Sequence, residues 1–286
     1  MSNDFYGLRT QSVENQHLRL EFLADAGPRI VRVMLNGSNE NQLAELPDIK
    51  WDTPNGDYFI RGGHRLWVAP EVVEQTYIPD NSGLQIENTS QGVRLIGPTE
   101  VTGIRKSIDI QLHADAARVT LVHRLQNESN KPIDCAAWAI TMFRLGGTAI
   151  LPLRKKTEAQ SLLPDRSVVL WQYAHKGDSR LYVGDENILI EARAQLPPCK
   201  IGTLNVAGWL AYLRGDIFFV KRFQPQPNRP HVDRGSNAEI YCNDRFMELE
   251  TLAPFQTLQP NETVEHIETW EWRKGVTSIE QINEMI

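Results

Sequence analysis

Short runs in which apolar and polar residues alternate recur along the whole chain, with turn residues between them. A period of two marks a strand with one face buried. Residues 17–22 alternate, and Ala26, Gly27 and Pro28 turn the chain into a second run at 29–34. Asn36-Gly37 is a strong hairpin turn. Ile104, Ile108, Ile110 and Leu112 alternate with polar residues. The chain turns at Asp115-Ala116, and Val119, Leu121, His123 and Leu125 alternate back. A polar connection at 127–132 leads into residues 133–143, apolar enough for a strand covered on both faces. Later strand-like runs are 167–171, 181–183, 187–191, 208–213 and 217–223, with a tight hairpin at Arg214-Gly215-Asp216.

Helical periodicity is nearly absent. The exception is terminal: Thr277 to Glu280 reads as a capping box, and Ile279, Ile282 and Met285 share one side of a short helix. Many strands at regular spacing predict an all-β sandwich or barrel. No fixed repeat or linker divides the chain, and the Pro-rich stretch at 224–230 is short. A single domain over 1–286 is expected.

The end of the chain carries the sharpest pattern. Residues 246–255, followed by 258–262 and 265–272, read as a strand, a Pro-containing turn and a returning strand. Met247, Leu249 and Thr251 point one way, and Phe246, Glu248, Glu250 and Leu252 the other. Two carboxylates on one face need solvent, a cation or a ligand, because an unpaired buried charge is expensive. A half-exposed sheet and a ligand site both satisfy that. In the returning strand Val264, His266, Glu268 and Trp270 alternate with Glu265, Ile267, Thr269 and Glu271.

Composition narrows the classes. A formal net charge of −6 argues against nucleic acid as a partner. The densest basic run, at 154–156, reads as a solvated turn. No apolar stretch is long enough for a membrane helix, and the first residues lack the pattern of a signal peptide. Cys135, Cys199 and Cys242 are odd in number, widely spaced and without metal-site spacing, which suits reduced thiols in the cytoplasm. No cofactor motif occurs, and no His, Asp and Glu group has metal spacing, so neither a cofactor nor a tight metal site is expected.

Residues 58–71 are the second unusual segment. Gly62-Gly63 permits backbone geometry or close approach that other residues resist. His64, Arg65, Trp67 and Glu71 follow closely. Trp offers an apolar face to a sugar ring, while Arg, His and Glu bond to hydroxyls. A Gly-Gly turn, an ion pair and a core Trp would produce the same string. Lys221 interrupts an apolar strand and faces either solvent or a ligand. His231 and Asp233 sit in a polar loop that could rim a pocket or merely connect strands. His123 reads as structural.

Taken in order, these segments resemble the galactose mutarotase-like superfamily, which includes aldose 1-epimerases. The residues carrying the resemblance are Leu18–Phe22 with Gly27–Ile30, Arg61-Gly62-Gly63, Asn127 through Phe143, Leu249-Glu250-Thr251 and Leu258–Glu262. The resemblance implies a β-supersandwich of large antiparallel sheets with a sugar cleft on a concave surface. It implies Glu250 as the base that takes the anomeric proton, and His64 as a candidate acid or hydroxyl ligand. Arg65, Trp67, Glu71, Lys221, His231, Asp233 and Glu248 would then bind the sugar. The family carries a second His in the central strand, near where this chain has Ile140. An apolar side chain transfers no proton. Two readings follow: a carbohydrate-binding protein that interconverts sugar anomers, or a non-catalytic sandwich used for sugar sensing or protein contact. The oligomeric state is open.

Overall fold

The structure is a computed structural model that describes residues 4–153, 166–175 and 177–285. The basic run at 154–156 lies outside them. Strands make up 55% of it, in large antiparallel sheets, and the two α-helices are short. One sheet has 11 strands and the other 10; a hairpin of Glu45–Thr53 and Gly56–Gly62 stands apart. The all-β sandwich expected from the alternation is the architecture found.

The first sheet runs, at its centre, in the order Arg29–Leu35, His64–Ala69, Ile133–Phe143, Met247–Leu252, Ala238–Cys242 and Cys199–Thr203. The second places Thr148–Pro152, Trp209–Arg214, Ile217–Phe223, Thr263–Lys274, Arg118–Asn127 and Ile104–Leu112 side by side. Its inner face supplies Leu121, Leu210, Phe219 and Trp270. The first sheet supplies Leu66, Ala137, Leu249 and Ile240, and all of these belong to one buried cluster. Two apolar faces closing on each other is the solution a sandwich provides.

The 246–272 reading needs one correction. The strand Thr263–Lys274 does not return beside Met247–Leu252; it crosses to the other sheet and pairs with Arg118–Asn127 and Ile217–Phe223. The run at 167–171 shortens to Val169–Leu170. The terminal helix Ile279–Met285 forms, and Ile279, Ile282 and Met285 cover Trp209 and Val220 on the outside of the second sheet. Its cap lies one residue later than expected: Ser278 Oγ accepts from the Gln281 N–H, and Gln281 reaches back to the Thr277 N–H.

Gly62 and Gly63 are used as their identity suggests. Both have positive φ, +84° and +70°. A Cβ on Gly62 would stand 2.1 Å from the Ala44 carbonyl oxygen, and one on Gly63 2.0 Å from that of Ile30. Only glycine lets the hairpin leave the sheet surface and the chain re-enter at His64.

Candidate functional site

The outer face of the first sheet carries a cleft of about 400 Å³ beneath the 45–62 hairpin. Alternation decides which residues floor it. Register pairs Arg65 with Ile140, Ile140 with Glu250, and Glu250 with Glu239. The next row is Met142, Glu248, Tyr241 and Lys200. Trp67 pairs with Trp138 on the same face. Trp51, Tyr77 and Tyr173 complete an aromatic wall, and Glu71 stands at the rim, hydrogen-bonded by the Tyr77 hydroxyl.

The charged floor is tightly paired. Arg65 donates to Glu248 at 2.8 Å, and its guanidinium lies 3.9 Å from the Trp67 ring centre. Glu250 is fully buried and accepts from Trp138 Nε1 at 2.9 Å and Lys200 Nζ at 3.0 Å. Lys200 also pairs with Glu239 at 2.9 Å. Oε1 of Glu250 has no hydrogen-bond partner. Burial raises the Glu248 carboxyl to about 7, with Arg65 opposing and Glu250 adding to the rise. Burial also holds Glu239 well above, and Asp233 above, the ordinary carboxylate range.

Of the residues singled out in the sequence, Arg65, Trp67, Glu71 and Glu248 line this cleft, and Glu250 is fully buried beneath it, bonded to Trp138 and Lys200, which do line it. Asp233 is close enough to Glu239, Lys200 and Glu250 to feel their charge. His231 turns to its own loop and bonds the Gln226 carbonyl at 3.1 Å. Two residues do not reach the cleft at all. His64 precedes Arg65, so it points through the opposite face of the sheet, and Lys221 rises from the other sheet; both are 0% exposed in the intersheet core. Lys221 is fully buried away from the cleft, which corrects the expectation that it faces solvent or the same ligand site as Glu248. Lys200, Trp138, Glu239, Tyr173 and Tyr241 were missed, although Lys200 and Glu239 stand out as charged residues in otherwise apolar short strands.

His64 and Lys221 instead belong to a closed polar network. The His123 Nδ1–H donates to the His266 carbonyl at 2.9 Å, so its Nε2 accepts from His64 Nε2–H at 2.7 Å. His64 Nδ1 then accepts from the Thr141 hydroxyl at 2.9 Å. Glu268 takes bonds from Lys221 Nζ at 3.0 Å, Trp270 Nε1 at 2.8 Å and the Thr251 hydroxyl. His266 Nε2 meets Thr251 Oγ1 at 2.6 Å. His64, His123 and Glu268 offer ligand atoms within 4.8 Å of one another, a grouping that chain spacing did not reveal. The two imidazoles already bond each other, and Lys221 supplies the positive charge Glu268 needs. The three cysteines are buried free thiols, and burial pushes each up to about 11, which leaves no nucleophile among them.

Two sets of buried groups oppose each other as pH falls. Burial holds His64 well below 6.5 and brings His266 to about 3, with His123 also lowered. A base held below its unfolded value takes up its proton on unfolding, so it costs stability as pH drops through about 6.5. Glu248 and Glu239, raised, take theirs in the folded state and offset that loss. Glu248→Gln removes one folded-state proton. Its stability therefore falls more steeply from pH 7 to pH 5 than the parent's, by up to about 1.4 kcal/mol per pH unit. Urea midpoints across that range check this, and parallel profiles contradict it.

With that geometry in view, the comparisons with known proteins give the fold. No protein-family model and no curated protein matches the chain. Solved structures do. A candidate aldose 1-epimerase from Klebsiella pneumoniae matches with a TM-score of 0.61 at 11% identity, over 97% of this chain and 82% of that one. A candidate aldose 1-epimerase from Escherichia coli K12 gives 0.57 at 12% identity, over 94% and 100%. A galactose mutarotase-like protein from Lactobacillus casei gives 0.55 at 10% identity, over 92% and 100%. The chain has the galactose mutarotase-like fold. Among the described residues no helix is long and apolar enough to cross a membrane.

Proposed function

We propose that this protein binds a sugar in the cleft above Glu248 and Glu250 and interconverts its anomers by acid/base ring opening. The observation that carries the reading is the carboxyl pair on one strand face, Glu248 lining an aromatic-walled cleft and Glu250 buried beneath it. Trp67, Trp138 and Tyr173 offer ring faces for the C–H side of a sugar, and Arg65, Lys200 and Asn243 offer donors for its hydroxyls. Glu248 and Glu250 are two residues apart on one strand face, roughly 7 Å along the chain.

Glu250 accepts the anomeric hydroxyl proton at its unpartnered Oε1 as the bond from the anomeric carbon to the ring oxygen breaks. Glu248, protonated near neutral pH, delivers a proton to that ring oxygen. The aldehyde rotates about its bond to the next carbon, and the steps reverse on its other face. Acid and base each need a proton affinity near the working pH, and Glu248 at about 7 has it. This division replaces His64 as the acid, since His64 opens on the wrong side of the sheet.

A second reading is favoured by one feature. Ile140 stands directly between Arg65 and Glu250, and it has no proton to give. A cleft that senses sugar without turnover fits that substitution. Exchange NMR of anomer interconversion over a panel of aldoses and sugar phosphates separates the two. Acceleration of any one sugar above its buffer rate supports the enzyme. Saturable binding with no acceleration supports the sensor.

A further inference from the structure

A second, smaller cavity of about 20 Å³ adjoins the cleft, and Arg65 and Trp67 line both. Arg29 and Arg65 line it from neighbouring strands. They stand directly opposite each other in register, so their side chains leave the sheet on the same face. They are 1% and 2% exposed, and like charges so placed repel each other. Each guanidinium is anchored through its Nη atoms. Arg29 donates to Asp80, the Tyr58 hydroxyl and the Ile60 carbonyl, and Arg65 to Glu248 and Met142 Sδ. The Nε of each is buried and has no acceptor. The other charged residues lining the cavity are Lys106, Asp80 and Glu100. Lys106 pairs with Glu100 at 2.7 Å, and Asp80 serves Arg61 as well as Arg29. Among the described residues, then, four paired cations (Arg29, Arg61, Arg65 and Lys106) share three carboxyls (Asp80, Glu100 and Glu248). Glu248 stands in the cleft rather than the cavity, and burial raises it to about 7, so it offsets Arg65 only in part at neutral pH.

We infer that this cavity is a binding site for one monoatomic anion of the size of chloride, held by the Nε–H groups of Arg29 and Arg65. Size sets the first limit. A water-sized occupant needs roughly 10–15 Å³, so a cavity of about 20 Å³ admits one such particle and excludes a phosphate or a sugar ring. Charge and hydrogen bonding set the second. Both free donors sit on guanidinium groups, which stay charged in proteins and accept no hydrogen bond. A water there would satisfy the two donors, but it brings two hydrogens of its own and leaves the excess positive charge in place. A halide has no hydrogens to place, and it screens the paired arginines from each other. The site stands apart from the carbohydrate reading and does not depend on it. The two meet at Arg65, whose guanidinium serves the anion at Nε and Glu248 at Nη2.

Crystals of the unaltered protein, grown without halide and soaked in sodium bromide, test this through the anomalous scattering of bromine. The expected result is an anomalous peak in the cavity, in contact with both Nε atoms. A water in that place without anomalous signal overturns the inference, and so does bromide confined to the surface. In solution at pH 7, bound chloride broadens the chlorine NMR line in proportion to its occupancy. Arg65→Met should weaken the chloride affinity read from that broadening by about tenfold or more, the worth of a hydrogen bond to a charged group. Equal affinity in the parent and a variant shown to be folded by circular dichroism overturns the inference, as does a parent that broadens nothing. Should the variant fail to fold, the bromide crystal decides alone.

Discussion

Glu250→Gln is expected to slow anomer interconversion by about 10²- to 10⁴-fold, the usual worth of a positioned general base, while the protein stays folded. Gln keeps the shape of Glu and an oxygen for Trp138 Nε1, which bonds Glu250 in the parent. Lys200 keeps Glu239 as its counter-charge at 2.9 Å. What the amide cannot do is take a proton from a hydroxyl. Exchange NMR on the variant and the parent, with circular dichroism on both, reads the two halves of this expectation. Turnover unchanged in a folded variant removes Glu250 from the mechanism.

Lys221→Met is expected to cost about 3–5 kcal/mol of stability, the range for removing one partner of a buried ion pair. Both members are 0% exposed, so water cannot replace the lost charge. Lys221 also donates to the Leu249 carbonyl at 3.0 Å, and that acceptor loses its partner on the strand that carries Glu248 and Glu250. With Lys221 gone, Trp270 and Thr251 are the hydrogen-bond donors left to Glu268 among the described residues, beside histidines that burial keeps neutral. The double variant Lys221→Met/Glu268→Gln should recover part of the loss, because it removes the stranded charge as well. Urea unfolding of the single and double variants measures both. A single-variant loss under about 1 kcal/mol would mean the pair is not what holds this part of the core.

These expectations follow from which face each side chain takes, and the sequence disclosed that unevenly. Alternation put Glu248 and Glu250 on one side of their strand, and they share the cleft side in the structure. The same rule separates His64 from Arg65, and the crowding expected around Gly62-Gly63 overlooked it. Parity alone does not say which face is the core. Val220 and Lys221 alternate in a strand buried on both sides, the outer side covered by the terminal helix and the inner side by the first sheet. The polar face that looked like solvent or ligand is the middle of the sandwich. Lys200 and Glu239 come from short strands that pair with each other and then with Met247–Leu252. Lys200 is 50 residues from Glu250 along the chain, so their meeting depends on strand order, which local pattern does not encode. The same holds for the trio of residues 64, 123 and 268. The fold class was legible because it depends on period and turn spacing. The floor of the cleft was half legible because it depends on non-local pairing.

The central claim is that a sugar occupies this cleft. A crystal structure at saturating D-galactose tests it most directly. A pyranose ring is expected against the Trp67, Trp138 and Tyr173 faces, with its anomeric hydroxyl within hydrogen-bond reach of Glu250. A sugar bound elsewhere, or an unoccupied cleft at concentrations that saturate binding in solution, would contradict it.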